Sequence, residues 1–425
     1  MMAVDVIVLG DGTGGVLTAN LLARKARKQD LQINIKVIGN SPVHTYQPGM
    51  LFLPFQTRGY RTLADIQRNT ADFIGSGVNY LVESIEALDT ETRTVTTDKG
   101  THSYDWIILC LGCRTIIDET PGLEDFWGKK VHGFYTPDSA MRLASALEAF
   151  HGGDLVVDVA EMPIKCPVAP VEFACLLDEY LHKRGLRSKT RLTLVTPLTG
   201  AFTKPVCNDA LMGMLVDKGI NVVPDASLGE VAENYMACPD GQQIPYDLMV
   251  TVPPHEGSDI IEDAGLGDGV GFGLTDKLTL KSRKSERVFL LGDNTNVPTS
   301  KAGSVAHFQA DVVVHNLLRE IEGREAEPLA DGHANCFIET GYNKAILIDF
   351  NYDTQPVPGT FPLPFLGPMS LLKETYLNHL GKLAFKYIYW YMLLPGYPIP
   401  LVGSQMSVSG KKMEILEKYV TGGQR

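Results

Sequence analysis

The sequence predicts an α/β chain: two Rossmann-like units, then a C-terminal amphipathic helical segment. Three observations carry this. The chain opens on a strand, a glycine turn and a helix, "VDVIVLGDGTGGVLTANLLARK". Its middle repeats the alternation, "DLVVDVAEMPIKCPVAPVEFACLLDEYLHKRG". Two later apolar strands, "YDWIILCLGCRT" and "ERVFLLGDNTNVPTSKAGSVAHFQADVVVHNLL", run into Gly112 and into the Gly292-Asp293 pair, the second leading through a loop with Lys301 to another helix.

In the first unit, the apolar strand Val4 to Leu9 precedes Gly10, Gly12 and Gly15 at the G-x-G-x-x-G spacing. Gly10 suits the tight turn, Gly12 lets backbone approach a pyrophosphate, and Gly15 lets helix pack on strand. The helix N-terminus then faces phosphate charge. A dinucleotide site is expected here. The next strand, "INIKVIGN", should end in an acidic residue for the adenosine ribose, yet it ends in Gly39 and Asn40, which leaves Asn40 to bond a hydroxyl. The stretch "SIEALDTETRTVTTDKGTHSYDW" alternates around turn residues at Asp89 and Lys99-Gly100 and predicts a β-meander. The first unit is therefore expected over residues 1–112 and 281–350, the second over 113–280, and the C-terminal segment over 351–425.

The second unit keeps its strand and helix but has no glycine between Gly153 and Gly185. Pro163, Pro167 and Pro170 remove donors and add bulk where a pyrophosphate needs donors and room, so NAD(P)H is not expected. The turn carries Cys166 beside Lys165, just ahead of a helix, and both neighbours favour thiolate. Its alternative is a packed free cysteine. A second thiol, Cys336 in "DGHANCFIETGYNKAILIDFN", is distant in sequence but is expected to return to the first unit. Cys110 and Cys113 span a strand end and read as packing, Cys175 as core, and Cys207 and Cys238 have no visible partner.

Composition narrows the function classes. A chain of 425 residues, 44% hydrophobic, fills two cores without disulfide staples, and seven cysteines are too sparse for a secreted scaffold. A net charge of −12 argues against a nucleic-acid partner, and no metal-ligand cluster is seen. No cleavable signal is expected at the N-terminus. Lys386 and Pro395 interrupt "LAFKYIYWYMLLPGYPIPLVG" before about 20 clean apolar residues accumulate. Its aromatic and lysine mixture suits a membrane interface.

The Gly112 and Gly292-Asp293 signatures resemble those of the glutathione-reductase-like flavoproteins, which implies FAD, with Asp293 on its ribityl chain. The "KCPVAPVE" turn, the "CFIETG" segment and the broken second glycine turn together resemble the sulfide:quinone oxidoreductase family over essentially the whole chain. That resemblance implies a redox disulfide between Cys166 and Cys336. Hydrosulfide would attack it at Cys166, leave a persulfide there and free the Cys336 thiolate toward the flavin. Electrons would pass through FAD to a membrane quinone, and sulfane sulfur or polysulfide would leave. Glu172 matches a proton-handling carboxylate, with a helix-dipole acid as its alternative. Lys301 is expected near the flavin pyrimidine edge or the quinone carbonyl, and Phe350, Phe365 and Tyr391 are candidate aromatics around the quinone. The position at which some members attach FAD through a cysteine falls near Tyr135, so FAD is expected to be held non-covalently. The expected location is monotopic, on the cytoplasmic side of the cell membrane, with a possible homo-oligomer. Competing readings are the flavin subunit of a flavocytochrome c sulfide dehydrogenase, a type II NADH:quinone oxidoreductase, and a flavin-binding membrane sensor without turnover.

Overall fold

Strand β1 (Val4–Leu9) is buried on both faces: Val6 and Val8 pack into one apolar layer, Ile7 and Leu9 into the opposite one. Two-sided burial is what a parallel strand between helical and sheet layers requires. The structure, a computed structural model, describes residues 3–420. Helix α1 (Thr13–Lys28) starts directly after the glycine turn with no side-chain cap and ends in Lys25, Arg27 and Lys28, which complement its dipole. Strands β2 (Ile33–Gly39), β3 (Val78–Val82) and β4 (Trp106–Leu109) complete the first half. Between β3 and β4 lies the expected meander, three antiparallel strands at Ile85–Asp89, Thr94–Thr97 and Gly100–Ser103. Asp89 Oδ1 accepts from the Glu91 and Thr92 amides at its turn.

The second unit runs through β5 (Val131–His132), α2 (Pro137–Ala149), β6 (Gly153–Val159), α3 (Ala169–Lys183), β7 (Thr190–Val195), α4 (Pro205–Asp217), β8 (Asn221–Val223) and β9 (Leu248–Val252). The chain then returns to the first unit with β10 (Val288–Leu290) and α5 (Gly303–Ile321). The two five-stranded parallel sheets have the orders β10-β4-β1-β2-β3 and β5-β9-β6-β7-β8.

The boundary expected at residue 350 is not a structural one. Strands β11 (Ala334–Gly341), β12 (Lys344–Phe350), β13 (Gly359–Leu363) and β14 (Gly367–Leu371) form one sheet, ordered β11-β12-β14-β13. The segment expected to be helical from 351 onward therefore begins with a hairpin. Its reason is the open edge of β12: unpaired ladder groups seek a partner, and Leu372 N–H donates to Leu347 O at 2.7 Å.

Only then does α6 (Tyr376–Ile388) begin, followed by a π-helical turn at Tyr389–Leu393. Residues 389–397 dock on α1. Thr13 Oγ1 meets the Tyr389 hydroxyl at 2.7 Å, Asn20 Nδ2 donates to Leu394 O at 2.7 Å, and Arg24 lies 4.2 Å over the Tyr397 ring. Positions 13, 20 and 24 share one helix face. Among the described residues, no helix is long and apolar enough to cross a membrane.

Candidate active site

The turn between β6 and α3 puts Cys166 at φ +47°, in the left-handed region. Three bonds hold it there. Its N–H donates to Lys301 O at 2.6 Å, and its carbonyl accepts from Ala169 N–H at 2.8 Å and from the Tyr135 hydroxyl at 3.4 Å. Ile164 and Val168, on either side of Cys166 in the chain, are 2% and 1% exposed and belong to the apolar core. The contact with Lys301 ties the second unit to the loop ahead of α5.

Cys336 stands on β11, its sulfur 4.0 Å from Ser304 Oγ at the start of α5. Both cysteines are half-buried free thiols that pack against the same apolar core. Each is close enough to Glu172 and Lys382 for those charges to act on its titration. Burial raises the Cys166 thiol, and Glu172 and the Cys336 sulfur raise it further. Burial also pushes Cys336 up, to about 11. The sequence expectation that Lys165 and the helix end would favour thiolate at Cys166 is thus corrected: burial outweighs them, and the opposing cation is Lys382.

Glu172 is 2% exposed, and its Oε1 accepts from the Glu339 amide at 2.6 Å and from the Lys382 ammonium. Lys382 Nζ also donates to Phe337 O, one residue beyond Cys336, at 3.0 Å. Burial raises the Glu172 carboxyl while Lys382 holds it down. Glu339, fully buried, pairs with Arg58 at 3.2 Å and His379 at 2.9 Å, and Arg58 reaches on to Glu179 at 2.8 Å. This network escaped the sequence reading. Its only trace was acidic residues inside the apolar helix α3 and a lysine in α6, and nothing local says that they meet.

The residues expected around FAD form a cradle that fits it. A Cβ at Gly10 would lie 2.4 Å from Cys110 O, and one at Gly15 1.8 Å from Gly10 O, whereas one at Gly12 would meet open space. The first two glycine positions are demanded by the turn; the third leaves backbone bare toward the uncapped end of α1. Gly112 and Gly292 take φ +70° and +79°. The Asp293 carboxylate is half-buried with no hydrogen-bond partner among the described residues, and burial raises its pKa against Lys165 and Lys301. Asn40 is exposed at the tip of β2.

Lys301 Nζ donates to Asp293 O and Thr295 O at 2.7 and 2.8 Å and lies 3.8 Å over the Phe272 ring, so the lysine organises the Gly-Asp loop. Cys113 was expected to be packing; it is half-buried and feels Asp293, Lys165 and Lys301. The three candidate quinone aromatics are not brought together. Phe350 is 4% exposed against Phe202 because β12 is buried on both faces, while Phe365 is 83% exposed at the β13–β14 hairpin and Tyr391 lies near Arg68. A clamp built from these three is not present. One cluster of buried aromatics that does form joins Tyr46, Tyr60, Tyr389 and Trp390.

Residues 4–310 match the family model described as pyridine nucleotide-disulphide oxidoreductase. The chain is 28% identical over 410 residues to a mitochondrial sulfide:quinone oxidoreductase of Mus musculus, covering 92% of this chain and 87% of that one. It is 29% identical over 401 residues to its namesake in Dictyostelium discoideum, covering 92% and 86%. The solved sulfide:quinone oxidoreductase of Aquifex aeolicus superposes with a TM-score of 0.76 at 20% identity, covering 98% of this chain and 96% of that one.

Proposed function

Since the chain belongs to the pyridine nucleotide-disulphide oxidoreductase family and is an FAD-dependent oxidoreductase, we propose that it oxidises sulfide and delivers the electrons to a quinone. The observation that supports this reading is that Cys166 and Cys336, 170 positions apart, pack against one apolar core and both feel the same Glu172–Lys382 carboxylate–ammonium pair.

The two thiols form the working disulfide in the oxidised protein. Hydrosulfide attacks its Cys166 sulfur; the new S–S bond leaves a persulfide on Cys166, and the old one breaks to leave a thiolate on Cys336. Lys382 stabilises that thiolate, and Glu172 holds Lys382 in place. Further hydrosulfide carries the sulfane sulfur away as polysulfide. The Gly10–Gly15 turn, Gly112, Gly292, Asp293 and the loop ordered by Lys301 would hold FAD, which would supply two-electron chemistry between the reduced Cys166–Cys336 pair, returned to the disulfide, and the quinone. The turn that would grip the pyrophosphate of a nicotinamide cofactor has no glycine and carries Pro163, Pro167 and Pro170 instead, which supports sulfide over NADH as the reductant.

The reading includes a lipid surface. Phe365 and Leu366 at the hairpin tip are 83% and 81% exposed, and Tyr376, Leu380, Tyr387 and Tyr391 line one side of α6 and its π-helical extension. The other side carries the buried His379 and the half-buried Lys382, which pairs with Glu172. Such an amphipathic face lies in the headgroup boundary of a membrane, here its cytoplasmic side, where quinone is available.

Anaerobic addition of sulfide to the purified holoprotein should bleach the oxidised flavin band, and a soluble quinone should restore it, with NADH leaving it unchanged. Cys166→Ser and Cys336→Ser should each block bleaching by sulfide while photoreduced flavin is still reoxidised by quinone. Normal bleaching in the double variant would remove the cysteine pair from the mechanism.

A further inference from the structure

Strand β2 lacks the terminal carboxylate that a dinucleotide fold uses to hold the adenosine ribose, and Asn40, its sequence substitute, is exposed with no partner among the described residues. A different residue occupies the place. A Cβ built on Gly39 would fall 2.0 Å from Asp11 Cγ and 2.3 Å from its Oδ2. The side chain of Asp11, from inside the glycine turn, therefore lies over the tip of β2, in the space that a side chain at position 39 would take.

The surroundings fix it there. Gly10 N–H donates to Ile38 O at 2.8 Å, which draws the turn against the end of β2. The Tyr80 hydroxyl, from β3, donates to Asp11 Oδ2 at 2.7 Å, and His44 Nδ1 donates to the Asp11 carbonyl at 3.2 Å. Besides Tyr80, the group acting on the Asp11 carboxylate by hydrogen bond is its own backbone N–H, and no other described residue donates to Oδ1. A carboxylate in a phosphate-binding turn is unfavourable if it faces the diphosphate. Tyr80 holds this one over Gly39 instead, with Oδ2 engaged and no other described residue on Oδ1.

We infer that Asp11 supplies the ribose-binding carboxylate of the FAD site, exchanged in position with Gly39: the acid has moved from the strand tip into the turn, and the glycine from the turn to the strand tip. Only a glycine at 39 leaves room for it. The Asp11 Oδ1 accepts from a ribose hydroxyl, which makes Asp11 a determinant of cofactor retention.

The exchange is reversible by design, and that gives the test. Apoprotein is prepared by removing FAD, and FAD affinity is read from quenching of flavin fluorescence, independently of turnover. Asp11→Asn and Asp11→Gly should each weaken FAD binding about ten- to hundredfold, as expected for losing a hydrogen bond to a charged acceptor. Gly39→Glu alone should also weaken it, because its side chain collides with Asp11. Asp11→Gly combined with Gly39→Glu should return affinity to within a few-fold of the unaltered protein. An FAD analogue lacking the 2′-hydroxyl of the adenosine ribose should bind the unaltered protein about tenfold or more weakly, and Asp11→Asn should abolish that discrimination; this arm needs no recovery by a second substitution. Equal affinity for FAD and the analogue, tighter binding by Asp11→Asn, or a double variant no better than Asp11→Gly would each overturn the inference while leaving FAD as the cofactor. Failure of unaltered apoprotein to take up FAD would overturn the cofactor reading as well.

Discussion

Asp158 shows how much a single buried group governs. It lies fully buried on β6, with Oδ2 accepting from Thr251 Oγ1 at 2.6 Å and Oδ1 unpartnered, and burial lifts its pKa from 3.8 to about 7. Because the folded-state value is raised, the folded protein keeps the proton longer than the unfolded chain. Stability is full below pH 4 for this group and is lost as pH rises from about 4 to about 7, by roughly 4 kcal/mol at most. Asp158→Asn removes the charge, so its Tm at pH 8 should exceed that of the unaltered protein, with the gap closing at pH 5. At the thiols, the sign runs the same way for reactivity. Cys336, raised to about 11, should alkylate slowly at pH 7 and progressively faster toward pH 11 in reduced protein, read by mass of the labelled peptide. Lys382→Met should slow that labelling at any fixed pH and lower stability to urea by about 3–5 kcal/mol, because Glu172 is left buried without its cation.

Elements differ in how openly their sequences announce them. The glycine turn, α1 and the meander were readable because each is specified by neighbours within a few residues: an apolar run, a glycine spacing, an Asp at a turn. The β13–β14 hairpin was not, since its reason for forming is the bare edge of β12. The Glu172–Lys382 pair joins residues 210 apart, and Arg58 meets Glu339 from a different layer. No local pattern encodes such pairings, so a carboxylate in an apolar helix is visible but its partner is not. Cys166 and Cys336 were legible as candidates from their turn and segment, whereas the sign of their pKa shifts depends on burial that only packing sets. Asn20, midway along α1, shows the same dependence. Its amide joins Leu394 O, Phe73 O and Gly75 N. Asn20→Ala should lower stability by about 2–4 kcal/mol and expose the 389–397 segment to limited proteolysis, since three bonds between buried or half-buried groups are lost.

At the scale of the molecule, two parallel-sheet units bring the thiol turn to the loop ahead of α5, and the tail closes over both with one side engaged and one side bare. The bare side should mediate attachment to lipid. Phe365→Ser with Leu366→Ser should reduce co-sedimentation with anionic vesicles several-fold at unchanged flavin content, and sulfide should still bleach the flavin in detergent; undiminished sedimentation would place the contact elsewhere. The engaged side has another consequence. Helix α1 is made within the first thirty residues, but the groups that cover Thr13, Asn20 and Arg24 are Tyr389, Leu394 and Tyr397. One face of that helix therefore stays open until a stretch about 375 residues further along the chain has folded against it. Any chaperone that shields the folding chain should be found on that open face.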